Sequence, residues 1–454
     1  MSVKIAFLDP LGPGKGLFRS HRHFLRDWTG ASYPGFIPLL SLDLIYAAAY
    51  LRKCGYPDVS VIEASARHLY PEDIVRLLLS SRPDFVVIPS TYFTIEEDKA
   101  LARRIKGSIP RIKIIFSGPP VTYDPSVVLR DASADFVALG EMELPVVNIV
   151  RGNYAQNIAY WQGDKVVSGS RSLIDLDDLP LPARDLVDNQ AYRFAIFNRK
   201  NPITPMTISR GCPHSKCVFC NSKLYSLGKI RYRGLESICE EIREISGKYR
   251  VGEIFFRDLA FTANRELVFK VCDFFISQKN GILWRAQTRV DLVDKAMLDI
   301  MRRAGCYQIS FGFETCSQKS LDLSGKNITL EQSMRAARLA KGAGLEVVGL
   351  FIYGLPGETP ENMSGFSGFA RRLGVDFVNF NEICVFPGNE LYRDRPDGKM
   401  TIDPGDRFKK YVRNEYAKFY LRPGMLRKLA SRINSFDNLK FLIQAGADEL
   451  LSHF

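Results

Sequence analysis

Three cysteines lie within one short stretch of this chain: Cys212, Cys217 and Cys220, in the pattern C-x4-C-x2-C. Three thiolates this close in sequence are typical ligands of an iron–sulfur cluster, and they are one short of a full protein set. A cluster held by three cysteines leaves one iron open to a ligand that is not protein. The spacing therefore predicts an iron–sulfur centre that can bind a small molecule and act on it.

Other interpretations of the cysteine stretch remain open. Zinc would require a fourth ligand, for which His214 is the candidate, although zinc ligands usually come as two separated pairs. A two-iron ferredoxin site would require a fourth cysteine downstream, and Cys239 is the candidate, within a helical run. A disulfide framework is disfavoured because nine cysteines in 454 residues are few and odd in number, and the other six are scattered through apolar stretches.

Alternating strand and helix patterns surround the cysteines. Strands are predicted at 203–209, 252–256, 282–287, 307–313, 345–353 and 376–383, and helices at 234–249, 265–278, 294–304, 330–342 and 361–373. This alternation indicates right-handed βαβ units and a parallel sheet. Six such strands make a partial (β/α)6 TIM-like barrel. Such barrels carry their chemistry at the C-terminal ends of the strands, and the cysteines follow the first strand.

On these features the chain resembles the radical S-adenosylmethionine (radical SAM) superfamily, whose usual loop is C-x3-C-x2-C with an aromatic residue before the third cysteine. Phe219 matches that aromatic residue, whereas the first gap is one residue longer here. The resemblance implies a four-iron four-sulfur cluster on the three cysteines, with SAM on the open iron. It also implies reductive cleavage of SAM to a 5′-deoxyadenosyl radical, with a reductase or flavodoxin-type protein as electron donor.

Further strand ends match the superfamily in register with the cysteines. The resemblance implies that Asp258 contacts the SAM amino group, and that Arg289, near Gln287, pairs with the SAM carboxylate. It implies that Glu314 binds a ribose hydroxyl or the methionyl end, and that Gly354 lies where relatives pack the adenine. Taken alone, each charge is better explained by a salt bridge at the barrel rim. The four matches together favour a SAM site.

The N-terminal part is predicted to be a doubly wound α/β domain. Strands are expected at 3–8, 59–63, 85–89, 113–117 and 136–139, and helices at 42–54, 71–80 and 96–107. The run at 3–8 lacks a basic region and a cleavage site, so it indicates a strand and not a signal peptide. Ligands of such sheets lie beyond the strand C-termini. The candidate residues there, several of them small enough for a cofactor to lie close to backbone, are Ser90, Thr91, Tyr92, Ser117, Gly118, Pro119, Gly140 and Glu141.

In sequence with the barrel, this half resembles the cobalamin-binding radical SAM subfamily, which joins a flavodoxin-like cobalamin domain to the radical SAM barrel. The stretches 60–64, 134–141 and 175–184 resemble its patterns, as does the helix beginning near Leu40. The resemblance implies cobalamin at the eight candidate residues. The D-x-H-x-x-G signature does not occur in the sequence, so a histidine ligand to cobalt is not expected. The alternative is a degenerate flavodoxin-like domain that binds no cofactor.

The predicted organisation is a cobalamin-binding domain at 1–150, a linker at 151–202, a barrel at 203–395 and a basic helical region at 396–454. The formal net charge is +12, and ten Lys or Arg lie between Arg407 and Lys440 against Glu415 and Asp437. Basic residues with aromatics can mark nucleic acid or an anionic membrane surface, and a helical cap over the barrel is the alternative. We retain peripheral membrane contact and disfavour nucleic acid. The sequence has no apolar run of about 18 residues, and we expect a cytoplasmic enzyme.

Three functions follow from these features. The resemblance favours a methyltransferase, in which cobalamin carries a methyl group from one SAM and a second SAM yields the radical that activates a carbon of a small-molecule or lipid-like substrate. A second hypothesis keeps both cofactors but ends in cyclisation, ring contraction or oxidation. A third is a non-enzymatic iron–sulfur sensor that binds nucleic acid, and the matches at Arg289 and Glu314 disfavour it.

Overall fold

In the computed structural model of the chain, residues 2–10, 39–64, 66–193, 198–393 and 405–433 are described. They divide into two compact units. The first unit holds the described residues up to Tyr192 together with Ser222–Arg231, and the second holds the remainder. Within these ranges, no helix is long and apolar enough to cross a membrane.

A seven-stranded sheet forms the first unit. Its order is β2-β1-β3-β4-β5-β6-β7, and β1 to β5 are parallel while β6 and β7 are antiparallel to their neighbours. The strands are β1 (Ile5–Leu8), β2 (Val59–Ile62), β3 (Phe85–Pro89), β4 (Lys113–Ser117), β5 (Phe136–Ala138), β6 (Ile158–Gln162) and β7 (Lys165–Ser168).

Helices cover both faces of this sheet. They are α1 (Leu42–Lys53), α2 (Pro71–Ser81), α3 (Ile95–Ser108), α4 (Pro119–Tyr123), α5 (Ser126–Leu129), α6 (Glu143–Val150) and, from the later segment, α7 (Ser222–Ser226). Successive strand side chains point to opposite faces, so Val86 packs in one apolar core with Ile105, and Val87 packs in the other with Leu44. The predicted doubly wound sheet is confirmed.

The interval 151–202 is not the linker that the sequence analysis predicted. Strands β6 and β7 form a hairpin that extends the first unit's sheet, and Gly163, at a positive φ of 66°, lies in its turn. Farther along, Asn189 donates to the carbonyl oxygen of Arg184 at 2.7 Å. The hairpin escapes a periodicity search because its strands are short and lie at a partly exposed edge of the sheet.

A six-stranded parallel sheet, in the order β15-β14-β13-β12-β11-β8, forms the second unit. Its strands are β8 (Ile203–Met206), β11 (Glu253–Phe256), β12 (Leu283–Thr288), β13 (Cys306–Glu314), β14 (Glu346–Tyr353) and β15 (Phe377–Glu382), and two short strands, β9 (Ser209–Arg210) and β10 (Arg231–Tyr232), flank the cysteine stretch. The predicted partial barrel is confirmed.

The helices of the second unit are α8 (Leu235–Gly247), α9 (Arg265–Gln278), α10 (Lys295–Arg303), α11 (Gln318–Leu323), α12 (Leu330–Gly342), α13 (Pro360–Met363), α14 (Phe366–Leu373), α15 (Glu390–Arg393), α16 (Gly405–Tyr420) and α17 (Pro423–Ala430). Side-chain caps at Asn264, Asp294 and Thr329 begin α9, α10 and α12. The prediction of a single helix at 361–373 is wrong, because the helical conformation is interrupted between α13 and α14.

The basic, aromatic segment near the C-terminus caps the barrel. The hydroxyls of Tyr416 and Tyr420 bond backbone groups of β15, at Phe380 and Val378, and so satisfy an edge strand that would otherwise be open. Lys428 pairs with Asp376 at 2.5 Å. The helical-cap interpretation is confirmed for the described part of this region, whereas Phe436 and Lys440 lie outside the described residues.

Candidate functional site

The cysteine loop (residues 212–220) lies beyond the C-terminal end of β8. Its first gap, one residue longer than the superfamily pattern, contains a left-handed residue, Ser215, at a φ of 45°. The Ser215 hydroxyl donates to the carbonyl oxygen of Cys212 at 2.7 Å, and the Cys220 N–H donates to the carbonyl oxygen of Cys217 at 3.1 Å. The extra residue is therefore accommodated by a local turn between the first two cysteines.

The three cysteines of this loop form no disulfide and are partly exposed, whereas Cys239, a candidate for a ferredoxin site, is buried in α8. Burial raises the pKa of the Cys217 thiol to about 12, so metal binding there must displace a proton. In the described part of the chain, no three His, Cys, Asp or Glu side chains surround a position for a single metal ion. A four-iron cluster requires a wider arrangement of its ligands than a single metal ion does, because each thiolate binds a different iron.

A turn formed by residues 324–326 holds the cysteine loop. His214 Nε2 lies 2.6 Å from the carbonyl oxygen of Gly325, and the Val218 N–H donates to the Ser324 carbonyl at 3.1 Å. Gly325 has a φ of 63°, and a Cβ there would lie 2.9 Å from the carbonyl oxygen of Lys216. The His214 contact commits Nε2 to a carbonyl and ties the cysteine loop to this turn.

The same turn places a buried lysine against two of the predicted SAM ligands. Lys326 Nζ lies 2.5 Å from Glu314 Oε1, and Arg289 Nη2 donates to the Lys326 carbonyl at 3.0 Å. Arg289 also pairs with Asp291 at 2.9 Å. Burial opposes the charge of Lys326, but the Glu314 carboxylate and the Cys217 thiol together outweigh burial, so the pKa of the lysine is raised. The structure thus brings Arg289 and Glu314 together with a cation that the sequence analysis missed.

The backbone of Glu314 is strained. Its φ is 62° at a register shift between β13 and β14, and a non-glycine residue held there costs about 1–3 kcal/mol. Such strain persists where the surrounding structure fixes it, often at ligand sites. The distortion aims the carboxylate at Lys326, which supports a functional role for this strand end.

Asp258 differs from its predicted role. Its carboxylate is buried and accepts from the Ile208 N–H at 3.1 Å, and from the Ser209 N–H at 2.6 Å and its hydroxyl at 2.5 Å. Burial raises its pKa to about 6. The carboxylate fixes the backbone that leads into the cysteine loop, so a direct contact with the SAM amino group stays a prediction that the observed hydrogen bonds disfavour.

The other predicted SAM residues occupy the same end of the sheet. Gln287 is partly exposed on β12. Gly354 follows β14 at a φ of 88°, and its N–H donates to Glu358 Oε2 at 2.7 Å. Burial raises the pKa of Glu358 to about 7. Phe219 packs on an apolar cluster of Leu355, Ile383 and Val385, so it anchors the cysteine loop beside the ends of β14 and β15.

The hydroxyl groups predicted to face cobalamin are largely bonded within the first unit. Ser90 Oγ donates to Asp98 Oδ2 at 2.8 Å, and Thr94 Oγ1 bonds the same carboxylate and the hydroxyl of Thr91. The Tyr92 hydroxyl lies 3.5 Å from the carbonyl oxygen of Pro119, the first residue of α4. Because Ser90, Thr91 and Tyr92 are all buried, their hydroxyls stabilise the strand end, and their contact with cobalamin stays a prediction.

Two glycines at this edge are required by the protein itself. At Gly118, with a φ of 115°, a Cβ would lie 2.0 Å from the carbonyl oxygen of Ser90. At Gly140, with a φ of 79°, a Cβ would lie 2.6 Å from Arg171 Nη2. Glu141 forms a mostly buried ion pair with Arg231. The carboxylate predicted to face the cofactor is thus engaged by a residue of the later segment.

Both implied cofactors can be tested against these residues. The cysteine loop fits a cluster, because it offers three thiols in one fixed turn. The edge of the first unit fits cobalamin in its backbone, with turns after β4 and β5, and Ser117 Oγ is a buried polar atom with no hydrogen-bond partner among the described residues. Contact of Ser117 with cobalamin stays a prediction, because its hydroxyl is fully buried in this structure.

Known families match both units. The family model described as Radical SAM superfamily matches residues 206–369, and the one described as B12 binding domain matches residues 31–150. An uncharacterized methyltransferase of Pyrococcus horikoshii is 30% identical over 440 residues, which cover 90% of this chain and 93% of the relative. The anaerobic magnesium-protoporphyrin IX monomethyl ester cyclase of Rubrivivax gelatinosus is 27% identical over 384 residues, covering 81% of this chain and 67% of the relative.

The fold has a counterpart among solved structures. The cobalamin-dependent S-adenosylmethionine radical enzyme OxsB, with aqua-cobalamin bound, aligns with a TM-score of 0.74 at 14% identity, covering 98% of this chain and 72% of that one. At that identity the likeness shows the fold alone. The P. horikoshii relative, however, aligns along nearly the whole of both chains. The chain therefore belongs to the cobalamin-binding radical SAM family, whose cofactors are a four-iron four-sulfur cluster, SAM and cobalamin.

Proposed function

We propose that this protein is a radical SAM methyltransferase that adds a methyl group to an unactivated carbon of a small-molecule or lipid-like metabolite. When bound, the cluster supplies the electron that cleaves SAM, and cobalamin supplies a carrier for the methyl group. The observation that carries the proposal is the turn at 324–326, which joins the cysteine loop to the buried charges of Arg289, Glu314 and Lys326.

These charges suit the methionyl end of SAM. A zwitterion needs cations for its carboxylate and an anion for its ammonium group, and the turn offers Arg289 and Lys326 beside Glu314. All three side chains are less than a tenth exposed, so charge-assisted hydrogen bonds there are strong. Without SAM, these buried charges are paired within the protein, as buried charges need to be. When SAM binds, its carboxylate and ammonium groups would replace part of that pairing, so every charge has a partner before and after binding.

Apolar side chains favour a substrate with hydrocarbon character. Leu355, Ile383 and Val385 form a cluster beside the C-terminal ends of β14 and β15, with Phe219, Ile352 and Leu391 packed partly exposed against it. Barrels bind their substrates at this end. An apolar wall there also keeps water from a reactive radical. This supports a lipid-like or otherwise apolar substrate next to the cysteine loop.

A labelled methyl group tests the proposal. The reconstituted protein is incubated with methyl-deuterated SAM, a reductant, cobalamin and fractionated small molecules or lipids, and new masses are sought. We expect a product that carries the intact deuterated methyl group, formed only when cobalamin is present. A product that lacks the label would contradict methyl transfer.

The similarity to a cyclase supports a second candidate function, a radical cyclisation or oxidation without methyl transfer. The R. gelatinosus cyclase aligns over four-fifths of this chain at nearly the identity of the methyltransferase relative. Both reactions use the same cofactors, so the protein residues around SAM do not separate them. The same incubation does: this candidate predicts an unlabelled product that has lost hydrogen.

A further inference from the structure

The segment that leaves the cysteine loop belongs to the first unit. Cys220 is followed by Asn221 and then by Ser222–Arg231, which packs with the first unit although the residues on both sides of it pack with the barrel. Within it, α7 (Ser222–Ser226) is followed by three exposed residues, Leu227 to Lys229. The segment therefore depends on its contacts at α7 and at Arg231 to hold its position.

Two arginines contribute to those contacts. Arg231 donates to the carboxylate of Glu141 and to the carbonyl oxygen of Ile174, and the exposed fractions of the Arg231 and Glu141 side chains are only 16% and 14%. Arg171 donates to the carbonyl oxygen of Leu224 in α7. The same Arg171 guanidinium occupies the space beside Gly140, where a Cβ would lie 2.6 Å away. The turn after β5 is thus held between two guanidinium groups that also bind the segment.

We propose that Arg231 and Arg171 are positioning residues through which a loaded cysteine loop strengthens cobalamin binding at the β5 edge. A cluster on Cys220 would fix one end of the chain that runs to Arg231. A segment fixed in this way would order the turn at Gly140 and Glu141 before cobalamin binds. Less of the binding free energy would then be lost to ordering that turn. Coupling of this kind is reciprocal and typically amounts to 5- to 150-fold in affinity.

The inference rests on the proposed use of cobalamin, at the position that the sequence predicts, but not on methyl transfer. An enzyme that cyclises its substrate would show the same coupling, and a methyltransferase without coupling would refute the inference alone. The two failures are distinguishable because one is read from product mass and the other from cobalamin affinity.

The test is a pair of anaerobic absorbance titrations of the full chain with cobalamin, one on cluster-loaded and one on iron-free protein. For the wild-type chain we expect about 5-fold or greater tightening by the cluster. In Arg231→Gln the ratio of the two Kd values should fall to about one. A role confined to local stability would weaken both Kd values by the same factor and leave their ratio unchanged, and that result would overturn the proposal. Equal Kd values in the wild-type chain would also overturn it.

Matched variants complete the design. Lys106→Gln removes a half-buried ion pair with Asp135, just before the opposite end of β5, and should leave the ratio at its wild-type value. Arg231→Lys keeps one charge and should give an intermediate ratio. If Arg231→Gln does not fold, Glu141→Gln removes the charge from the other partner with little change in shape and should lower the ratio. An unchanged ratio in Glu141→Gln would count against the proposal.

Discussion

The two candidate sites differ in how the protein uses the residues that the sequence analysis selected. In the second unit, Arg289 and Glu314 meet at one turn together with Lys326, and that turn also holds the cysteine loop. In the first unit, Ser90 is bonded to Asp98, and Gly118 is small because the Ser90 carbonyl lies against it. Two charged residues predicted to bind SAM thus converge on one turn, whereas residues predicted to bind cobalamin are engaged by the protein itself.

The physical reason is the cost of the alternatives. The buried side chains of Lys326, Arg289 and Glu314 are expensive to desolvate, so their convergence calls for a reason beyond stability. A glycine with a positive φ is instead cheap and common in turns, and a backbone carbonyl explains it as well as a cofactor does.

The largest effect should come from the cysteine loop. Cys212→Ala, Cys217→Ala and Cys220→Ala should each reduce iron from about four per chain to background, because only two of the three thiolates that hold the cluster would remain. Iron and sulfide analysis of anaerobically reconstituted protein measures this. Cys239→Ala is the control and should keep full iron content. Loss of iron in that control would instead favour the two-iron site with Cys239 as the fourth ligand.

The next largest effect concerns Lys326, which belongs to no recognised sequence motif. Lys326→Met removes the cation beside Glu314 and should weaken SAM binding about 30-fold or more, since a charge-assisted hydrogen bond is worth about 2 kcal/mol or more. Equilibrium dialysis with SAM measures it. Lys295→Met, which removes an exposed pair with Asp299, should change nothing. Unaltered SAM affinity in Lys326→Met would show that the buried charges serve the fold, as those of the first unit do.

Glu314→Ala and Arg289→Ala should likewise weaken SAM binding, and they should suppress 5′-deoxyadenosine and S-adenosylhomocysteine together. The reason is that one SAM pocket is proposed to serve both reactions of SAM. Chromatographic quantification of both products checks this. A variant that loses one product while it keeps the other would rule out a shared pocket.

Much of the fold could be predicted from the sequence, because the helices and strands with a strong hydrophobic periodicity are the ones that pack in the cores. The bounds of α9 and α12 agree with the prediction to the residue, and each begins at a side-chain cap. The hairpin of β6 and β7 was missed because its strands are short and lie at a partly exposed edge. Only the site residues that belong to recognisable motifs could be predicted from the sequence. Lys326 lies in a turn and belongs to no such motif. The pairing of Glu141 with Arg231 joins residues that are remote in sequence.

A substitution in the first unit separates the two explanations for its glycines. Gly118→Ala should destabilise the cobalamin-free protein by about 3 kcal/mol or more, because a Cβ would overlap the Ser90 carbonyl at a positive φ. Gly107→Ala is the control: nothing lies within 4 Å of its Cβ position, and alanine suits a helix better. Urea unfolding measures both. Wild-type stability in Gly118→Ala would mean that the space is kept for a ligand.

The smallest effect is a pH dependence in the second unit. Burial raises the pKa of Asp258 to about 6 from a usual value of 3.8, so the folded chain keeps this proton between about pH 4 and pH 6 while the unfolded chain has lost it. The contribution of Asp258 to stability therefore falls as pH rises through that window, by roughly 3 kcal/mol at most. Asp258→Asn stays neutral and should remove this part of the slope in urea midpoints. A slope equal to that of the wild-type protein would contradict the raised pKa.

The central claim, that cobalamin and the cluster act together in methyl transfer, is tested most directly by counting the two products of SAM in one reaction. Reconstituted protein is supplied with SAM, reductant and substrate, with and without cobalamin, and both products are quantified over time. The account predicts S-adenosylhomocysteine and 5′-deoxyadenosine in about equal amounts with cobalamin, and loss of S-adenosylhomocysteine without it. If 5′-deoxyadenosine forms with substrate turnover while S-adenosylhomocysteine stays at background in the presence of cobalamin, the methyltransferase assignment is contradicted.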